Sequence, residues 1–335
     1  MSGAPLAITL GDPAGIGPEI VAAAWAALRH TGRSFFAVGD AATLAATGCE
    51  VRRIATAADA PAAFADALPV LDLPLAAPVT PGQPTPAAAP QVIAWIERAV
   101  ALALAGEAGG VVTAPIAKAT LYEAGFAYPG HTEFVGALTA ATAMRGTRGP
   151  VMMLTARDLR VALVTVHAPI SQVPGLLTQA KIVAAGQVVA EALARDFGVT
   201  RPRLVVAGLN PHAGEGGTIG DEETRIVAPA VAALRAAGID ARGPLPADSL
   251  FHDAARQTYD AALCLYHDQA LIPVKMLDFW GGVNLTLGLP IVRTSPDHGT
   301  AFDIAGKGLA RPDSLIAALR LAAEIAERRA ALVAA

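Results

Sequence analysis

Three histidines each stand where an apolar run ends: His167 after 161–166, His212 after 204–209 and His267 after 261–266. Side chains at strand exits face the crevice in which open α/β sheets take their ligands. Three neutral imidazoles meeting there would hold a divalent ion of borderline softness, such as zinc or cobalt. A chelating oxyanion substrate would let magnesium or manganese compete for the same place. Any one of these histidines by itself reads as a hydrogen-bonded structural residue, but three in equivalent positions point to a metal. Asp268 and Glu215 are candidates for carboxylates that fix the ring tautomers, or are simply surface acids.

Polar groups elsewhere suggest what such a metal would act on. In Tyr128-Pro129-Gly130-His131-Thr132-Glu133 a glycine frees the backbone, while His131 and Thr132 supply donors for a phosphate or carboxylate. Thr132 is equally well explained as a helix cap. Lys275, Asn284 and Arg293 interleave with strand-forming residues near Gly281-Gly282, where a charge needs a partner that an anionic substrate can provide. Gly11-Asp12-Pro13-Ala14-Gly15-Ile16-Gly17-Pro18-Glu19 permits a sharp strand-to-helix turn with free amides. It departs from the usual dinucleotide fingerprint in its glycine spacing, and no acidic residue is expected after the second strand. The glycine-punctuated run Asp297–Gly308 offers backbone amides to a nucleotide.

These residues need elements to hold them. Apolar strands at 4–10, 35–38, 110–113, 204–207, 262–266 and 283–287 alternate with amphipathic helices at 18–29, 91–105, 173–197, 222–237 and 314–333. Residues 151–155 and 159–166 read as an antiparallel pair turning at 156–158, and Leu68–Pro90 as an extended Pro/Ala-rich excursion. The alternation implies an α/β fold with largely parallel sheets.

At 335 residues the chain is about twice a typical domain, so two domains are expected. Charged residues make up only 16% and hydrophobic ones 53%, which predicts a surface partly covered by a partner. A net charge of -4 gives no electrostatic footprint for nucleic acid. Two distant cysteines, Cys49 and Cys264, fit a reducing compartment. Met1–Leu10 has no basic n-region, and no uncharged apolar helix of the roughly 20 residues that a bilayer needs is expected. A cytoplasmic location follows as the expectation.

The segments Gly11–Glu19, Gly130–Phe134, Gly208–Gly217, Tyr266–Gln269 and Gly281–Ala301 together resemble the 4-hydroxythreonine-4-phosphate dehydrogenases of pyridoxal phosphate biosynthesis. Gly11–Glu19 and His298–Gly308 are also similar to the glycine turn and adenine loop of isocitrate and isopropylmalate dehydrogenases.

The resemblance implies two α/β/α domains flanking an active-site cleft. One comprises 1–130 plus 295–335 and carries the cofactor loop; the other, 131–294, carries metal ligands and dimer contacts. It implies a homodimer with a shared active site and metal ligation by His167, His212 and His267. Substrate binding falls to His131, Thr132, Asp248, Lys275, Asn284 and Arg293. NAD or NADP falls to His298, Gly299, Thr300, Asp303 and Lys307, and Lys275 is the candidate for proton transfer. The implied reaction oxidises and decarboxylates 4-phosphohydroxy-L-threonine to 3-amino-2-oxopropyl phosphate. Competing readings are a sister dehydrogenase for another phosphorylated hydroxy acid or a cyclic dihydrodiol, a silent metal- or phosphate-binding protein, and a metal-dependent hydrolase.

Overall fold

In the computed structural model, which describes residues 3–334, the chain forms two compact units, Met1–Ala143 with Leu289–Ala335 and Met144–Gly288. The strands, in chain order, are β1 (Leu6–Thr9), β2 (Phe35–Gly39), β3 (Val51–Ile54), β4 (Leu68–Asp72), β5 (Val111–Thr113), β6 (Val151–Ala156), β7 (Leu159–Leu163), β8 (Arg203–Ala207), β9 (Asp240–Leu245), β10 (Ala261–Cys264), β11 (Val283–Leu287) and β12 (Arg293–Pro296).

The first unit carries the strand order β3-β4-β2-β1-β5-β12, with each neighbouring pair parallel. All residues of β1 and β2 are buried, as strands covered on both faces must be. Helix Gly17–Leu28 begins with Pro18 in its first turn and buries Ile20, Val21, Trp25 and Leu28, the face its periodicity predicts. Helix Ala89–Leu104 lies against β1, β2 and β5 through Val92, Trp95, Ile96, Ala99 and Val100. Trp95 is fully buried, yet its indole Nε1 donates to Leu73 O at 2.9 Å, which ties down the Pro-rich stretch. With its preceding 3-10 turn this helix spans Pro86–Leu104, and by length and composition it is long and apolar enough to cross a membrane. The helix expected at 91–105 is thus lengthened at its start. Its alanines make it apolar despite Glu97 and Arg98, and its buried stripe is that of a core helix.

Strands β3 and β4 are where sequence and structure part. Leu68–Asp72, read as part of an excursion, pairs on both sides, and Pro69 sits near its start, where a missing N–H is tolerated. β3 is an edge strand whose Arg52 and Arg53 face solvent, so it lacks an apolar signature. An acidic residue does follow the second strand: Asp40. Its carboxylate is engaged by Thr43 N at 2.7 Å, Thr43 Oγ1 at 2.6 Å and Leu75 N at 3.3 Å, so it serves as a helix cap and loop anchor.

The second unit has the order β11-β6-β7-β10-β8-β9. β11, β6 and β7 are joined antiparallel, and β7, β10, β8 and β9 parallel. The long helix expected at 173–197 breaks into Val173–Leu176 and Gln179–Phe197. Leu177 is extended, and the Thr178 side chain caps the new start by accepting from Lys181 N. The stretch 222–237 opens as a π turn, Glu223–Val227, before becoming α-helical at Ala228–Ala236.

The limits of the first unit place His131, Thr132 and Arg293 within it. Helix His131–Leu138 is held there by a cluster of Phe126, Tyr128 and Phe134, with ring centroids 5.0 to 5.4 Å apart. β12 is held there by its pairing with β5.

Candidate active site

His131 is the first residue of its helix, following the fully extended Gly130. The residue is half-buried, but its Nε2 is sealed from solvent and has no hydrogen-bond partner. Burial holds the imidazole well below its usual pKa, and the positive charges of Arg293 and Lys118 push it the same way. It is therefore neutral at pH 7.

Arg293, only 3% exposed, opens β12 and donates from Nη2 to Thr113 Oγ1 at 2.7 Å. Burial lowers its guanidinium pKa to about 10, which still leaves it charged, with Glu133 opposing the shift. Burying this cation beside a second one is costly unless an anion completes the set. The first turn of the helix adds free backbone amides. The arrangement can take an anion.

A second polar region of the same unit brings the glycine turn and the C-terminal loop together. Gly11 has φ +70, and a Cβ there would collide with Pro115 O. Buried Asp12 organises the turn by accepting from Ala14 N at 2.9 Å. Its carboxyl pKa is raised, mainly by burial. Ile16 N donates to Thr300 O at 3.0 Å, and Gly308 N to Glu19 Oε1 at 3.3 Å. A cavity of about 1070 Å³ opens beside this junction, lined in part by Gly15, Pro18, Glu19, Arg29, Gly306 and Gly308. Its size suits a large organic cofactor. Of the predicted cofactor residues, His298, Gly299, Asp303 and Lys307 are exposed and Thr300 is half-buried.

In the second unit the exits of β7, β10 and β8 lie side by side because these strands are adjacent and parallel. His167 and His267 meet, with ring centroids 5.8 Å apart. His267 opens helix His267–Leu277, and its Nδ1 lies 2.8 Å from Asp268 Oδ1, an arrangement in which Nε2 is the ring atom that could ligate a metal.

His212 does not complete a trio. No group of three His, Cys, Asp or Glu side chains able to hold a metal occurs among the described residues. His212 is exposed on the connection after β8, where five successive residues, His212 to Gly216, take left-handed backbone angles. The buried carboxylate of Glu223 holds the entry to that run, accepting from Leu209 N and Asn210 N, each at 2.7 Å, and from Asn210 Nδ2 at 2.9 Å. The donor chemistry therefore fits a divalent ion through two imidazoles, with a further ligand required.

The remaining predicted substrate residues of this unit lie on three different elements. Asn284 lies on β11 with its Oδ1 buried and without a hydrogen-bond partner. Lys275 is half-buried, with Nζ 5.2 Å from the Phe279 ring centroid. Asp248 is exposed in the single turn Ala247–Ser249.

Sequence reasoning missed Lys118, Glu133 and Glu223. For Lys118 the signal was present, since it stands just past the β5 exit in Thr113-Ala114-Pro115-Ile116-Ala117-Lys118. The logic applied to the histidines would have found it. Glu223 had no local signal, because its partners are more than ten residues away.

Fold and site define an α/β protein with a buried cationic site for an anionic metabolite and a separate cavity of cofactor size. Residues 32–322 match the family described as Pyridoxal phosphate biosynthetic protein PdxA, and the chain belongs to that family. A 4-hydroxythreonine-4-phosphate dehydrogenase of Caulobacter vibrioides is 63% identical over 331 residues, covering 98% of this chain and 99% of that protein. A crystal structure of 4-hydroxythreonine-4-phosphate dehydrogenase from Klebsiella pneumoniae superposes with a TM-score of 0.85 at 43% identity, covering 97% of this chain and 98% of that one. A terephthalate 1,2-cis-dihydrodiol dehydrogenase from Burkholderia xenovorans is similar at a TM-score of 0.63 and 29% identity, over 96% of this chain and 97% of that one.

Proposed function

We propose that this chain is an oxidoreductase of pyridoxal phosphate biosynthesis. It oxidises 4-phosphohydroxy-L-threonine with NAD or NADP, and the resulting β-keto acid loses carbon dioxide to give 3-amino-2-oxopropyl phosphate. The observation that carries this reading is His131 with its sealed, unpartnered Nε2 and the buried Arg293 guanidinium, which support an anion-binding role. The 63% identity to a 4-hydroxythreonine-4-phosphate dehydrogenase supports a phosphorylated hydroxy-amino acid as that anion.

In this reading His131, Thr132 and Arg293 bind and orient the phosphate-bearing substrate. The cavity beside Gly15 and Gly308 takes the dinucleotide; His298, Gly299, Thr300, Asp303 and Lys307 do not line it, and in this reading they reach the adenosine from the adjoining loop, which lines the cavity through Gly306 and Gly308. The dinucleotide supplies the hydride acceptor. His167 and His267 hold a divalent ion, which when bound favours ionisation of the substrate hydroxyl and polarises the ketone formed from it. Asp248 and Asn284 orient the amino-acid end. Lys275, its side-chain nitrogen held at the Phe279 face, takes the hydroxyl proton as hydride leaves the carbon, and returns a proton to the carbon that has lost carbon dioxide.

The metal's third imidazole comes from a second copy of the chain, whose His212 meets the His167–His267 pair, so the working enzyme is a homodimer with a shared active site. An apolar stripe on and just beyond helix His267–Leu277 supports this. Ile272, Met276, Phe279 and Trp280 are 66%, 75%, 60% and 50% exposed, more apolar surface than solvent favours. The first unit is then the phosphate and dinucleotide unit, and the second the metal and self-association unit. Zinc, cobalt, magnesium and manganese all remain compatible with the donors, and nothing in this reading calls for nucleic acid or a membrane.

Stripping the enzyme with a chelator should abolish formation of reduced dinucleotide from the phosphorylated substrate, and a divalent ion should restore it. Full turnover after complete metal removal would refute the metal's part. The likeness to the dihydrodiol dehydrogenase supports a second reading, a sister dehydrogenase for a cyclic dihydrodiol, and a side-by-side substrate panel separates the two.

A further inference from the structure

Lys118 opens the helix Lys118–Glu123 immediately after the segment that leaves β5. Its Nζ lies 3.6 Å from the point where a β-carbon on Gly130 would stand, and Glu133 Oε2 lies 3.5 Å from the same point. Lys118 therefore shares one small space with the start of the His131 helix. It is half-buried, and among the described residues it forms no salt bridge. Nothing in the fold requires a lysine here: the chain turns into the helix through backbone bonds, Leu121 N to Ala117 O among them.

We propose that Lys118 is a third anion-binding side chain beside His131 and Arg293, and that the three take the dianionic phosphate end of the substrate. The inference rests on the dehydrogenase reading above. The charge count favours phosphate over carboxylate. Every packed element contributes: Arg293 from β12, Lys118 from its helix, the Thr113 hydroxyl from β5, and Thr132 and Glu133 from the same helix as His131. Two cations against the Glu133 carboxylate leave one surplus positive charge.

An entering dianion reverses that sign. The base at hand is His131, neutral in the empty site and carrying a buried Nε2 without a partner. A proton taken up there turns it into a donor aimed at phosphate oxygen and closes the charge balance. Phosphate binding is thereby coupled to uptake of one proton, and affinity for the dianion falls as pH rises above neutrality.

The test is calorimetric titration of the intact enzyme with inorganic phosphate at about pH 8.5, where free phosphate is already the dianion, in two buffers of different ionisation enthalpy. The expected result is uptake of about one proton per phosphate. Lys118→Met should weaken binding at least about tenfold, and Lys118→Arg should keep most of it. Binding by Lys118→Met within about twofold of wild type would remove Lys118 from the site. Heats independent of buffer would remove the proton from His131, and acetate binding as tightly as phosphate would assign the cradle to the carboxylate end instead. The dehydrogenase reading fails separately. If the phosphate results hold but no phosphorylated hydroxy-amino acid reduces a dinucleotide, that reading falls and this one stands.

Discussion

A neutral, buried histidine has a measurable consequence for folding. His131 in the native chain binds a proton only well below its ordinary pKa, whereas in the unfolded chain it titrates near 6.5. As pH falls through the unfolded value, the unfolded state gains a proton that the native state does not. Stability is therefore lost toward acid, within the window between the two values. Between about pH 7 and about pH 5.5, in phosphate-free buffer, the urea midpoint of the wild type should drop more than that of His131→Gln. Equal drops would show that the imidazole is not held neutral. Residue identity was the most legible layer of this protein. His131 and Arg293 were singled out by type and spacing, and the structure brings both into one unit. The effect of the Arg293 charge, which disfavours a proton on His131, was not legible, because β12 follows helix His131–Leu138 only after the whole second unit has intervened.

Among the elements, the left-handed run that carries His212 stands out. His212, Ala213 and Glu215 have φ of 52, 52 and 43, angles that residues with a β-carbon adopt at a cost. The run persists because Glu223, 3% exposed, fixes its entry with three hydrogen bonds and packs against Gly214, where a Cβ would stand 2.6 Å from Glu223 Oε2. Glu223→Ala leaves those amides without their acceptor and should destabilise the protein by about 2–3 kcal/mol. Glu223→Gln, which retains one acceptor oxygen, should cost less. Chemical unfolding measures both, and a loss within about 0.5 kcal/mol for the alanine variant, the ordinary range for surface changes, would contradict this role.

The elements also show where pattern reading stops. β1, β2 and the β6–β7 pair were plain from continuous apolar runs and a short turn. β3 and β4 were hidden by edge arginines and a proline. The strand exits bearing the three histidines were placed correctly, yet a strand pattern cannot encode the loop beyond it, and His212 is carried by such a loop.

For the whole molecule, a chain with only 16% charged residues has too little polar surface to cover itself comfortably, and the structure shows where the excess lies. Ile272, Met276, Phe279 and Trp280 recur at helical spacing on and just past one helix, with Met276 at 75% exposure. A second copy packing on this stripe would bury it and bring its own His212 to the His167–His267 pair. Met276→Glu places a charge in that contact and should shift the protein from dimer to monomer in sedimentation, with loss of turnover and of metal affinity together. A wild type that sediments as a monomer while fully active would contradict the shared site.

The most direct test of the account compares 4-phosphohydroxy-L-threonine with unphosphorylated 4-hydroxy-L-threonine, following dinucleotide reduction by the wild type and by Arg293→Met. The wild type should turn over the phosphorylated substrate with strong preference. The variant should lose roughly 100-fold in kcat/KM, about 2.7 kcal/mol of transition-state binding, for that substrate alone. No reduction with the phosphorylated substrate, or equal activity of wild type and variant toward it, would contradict the assignment.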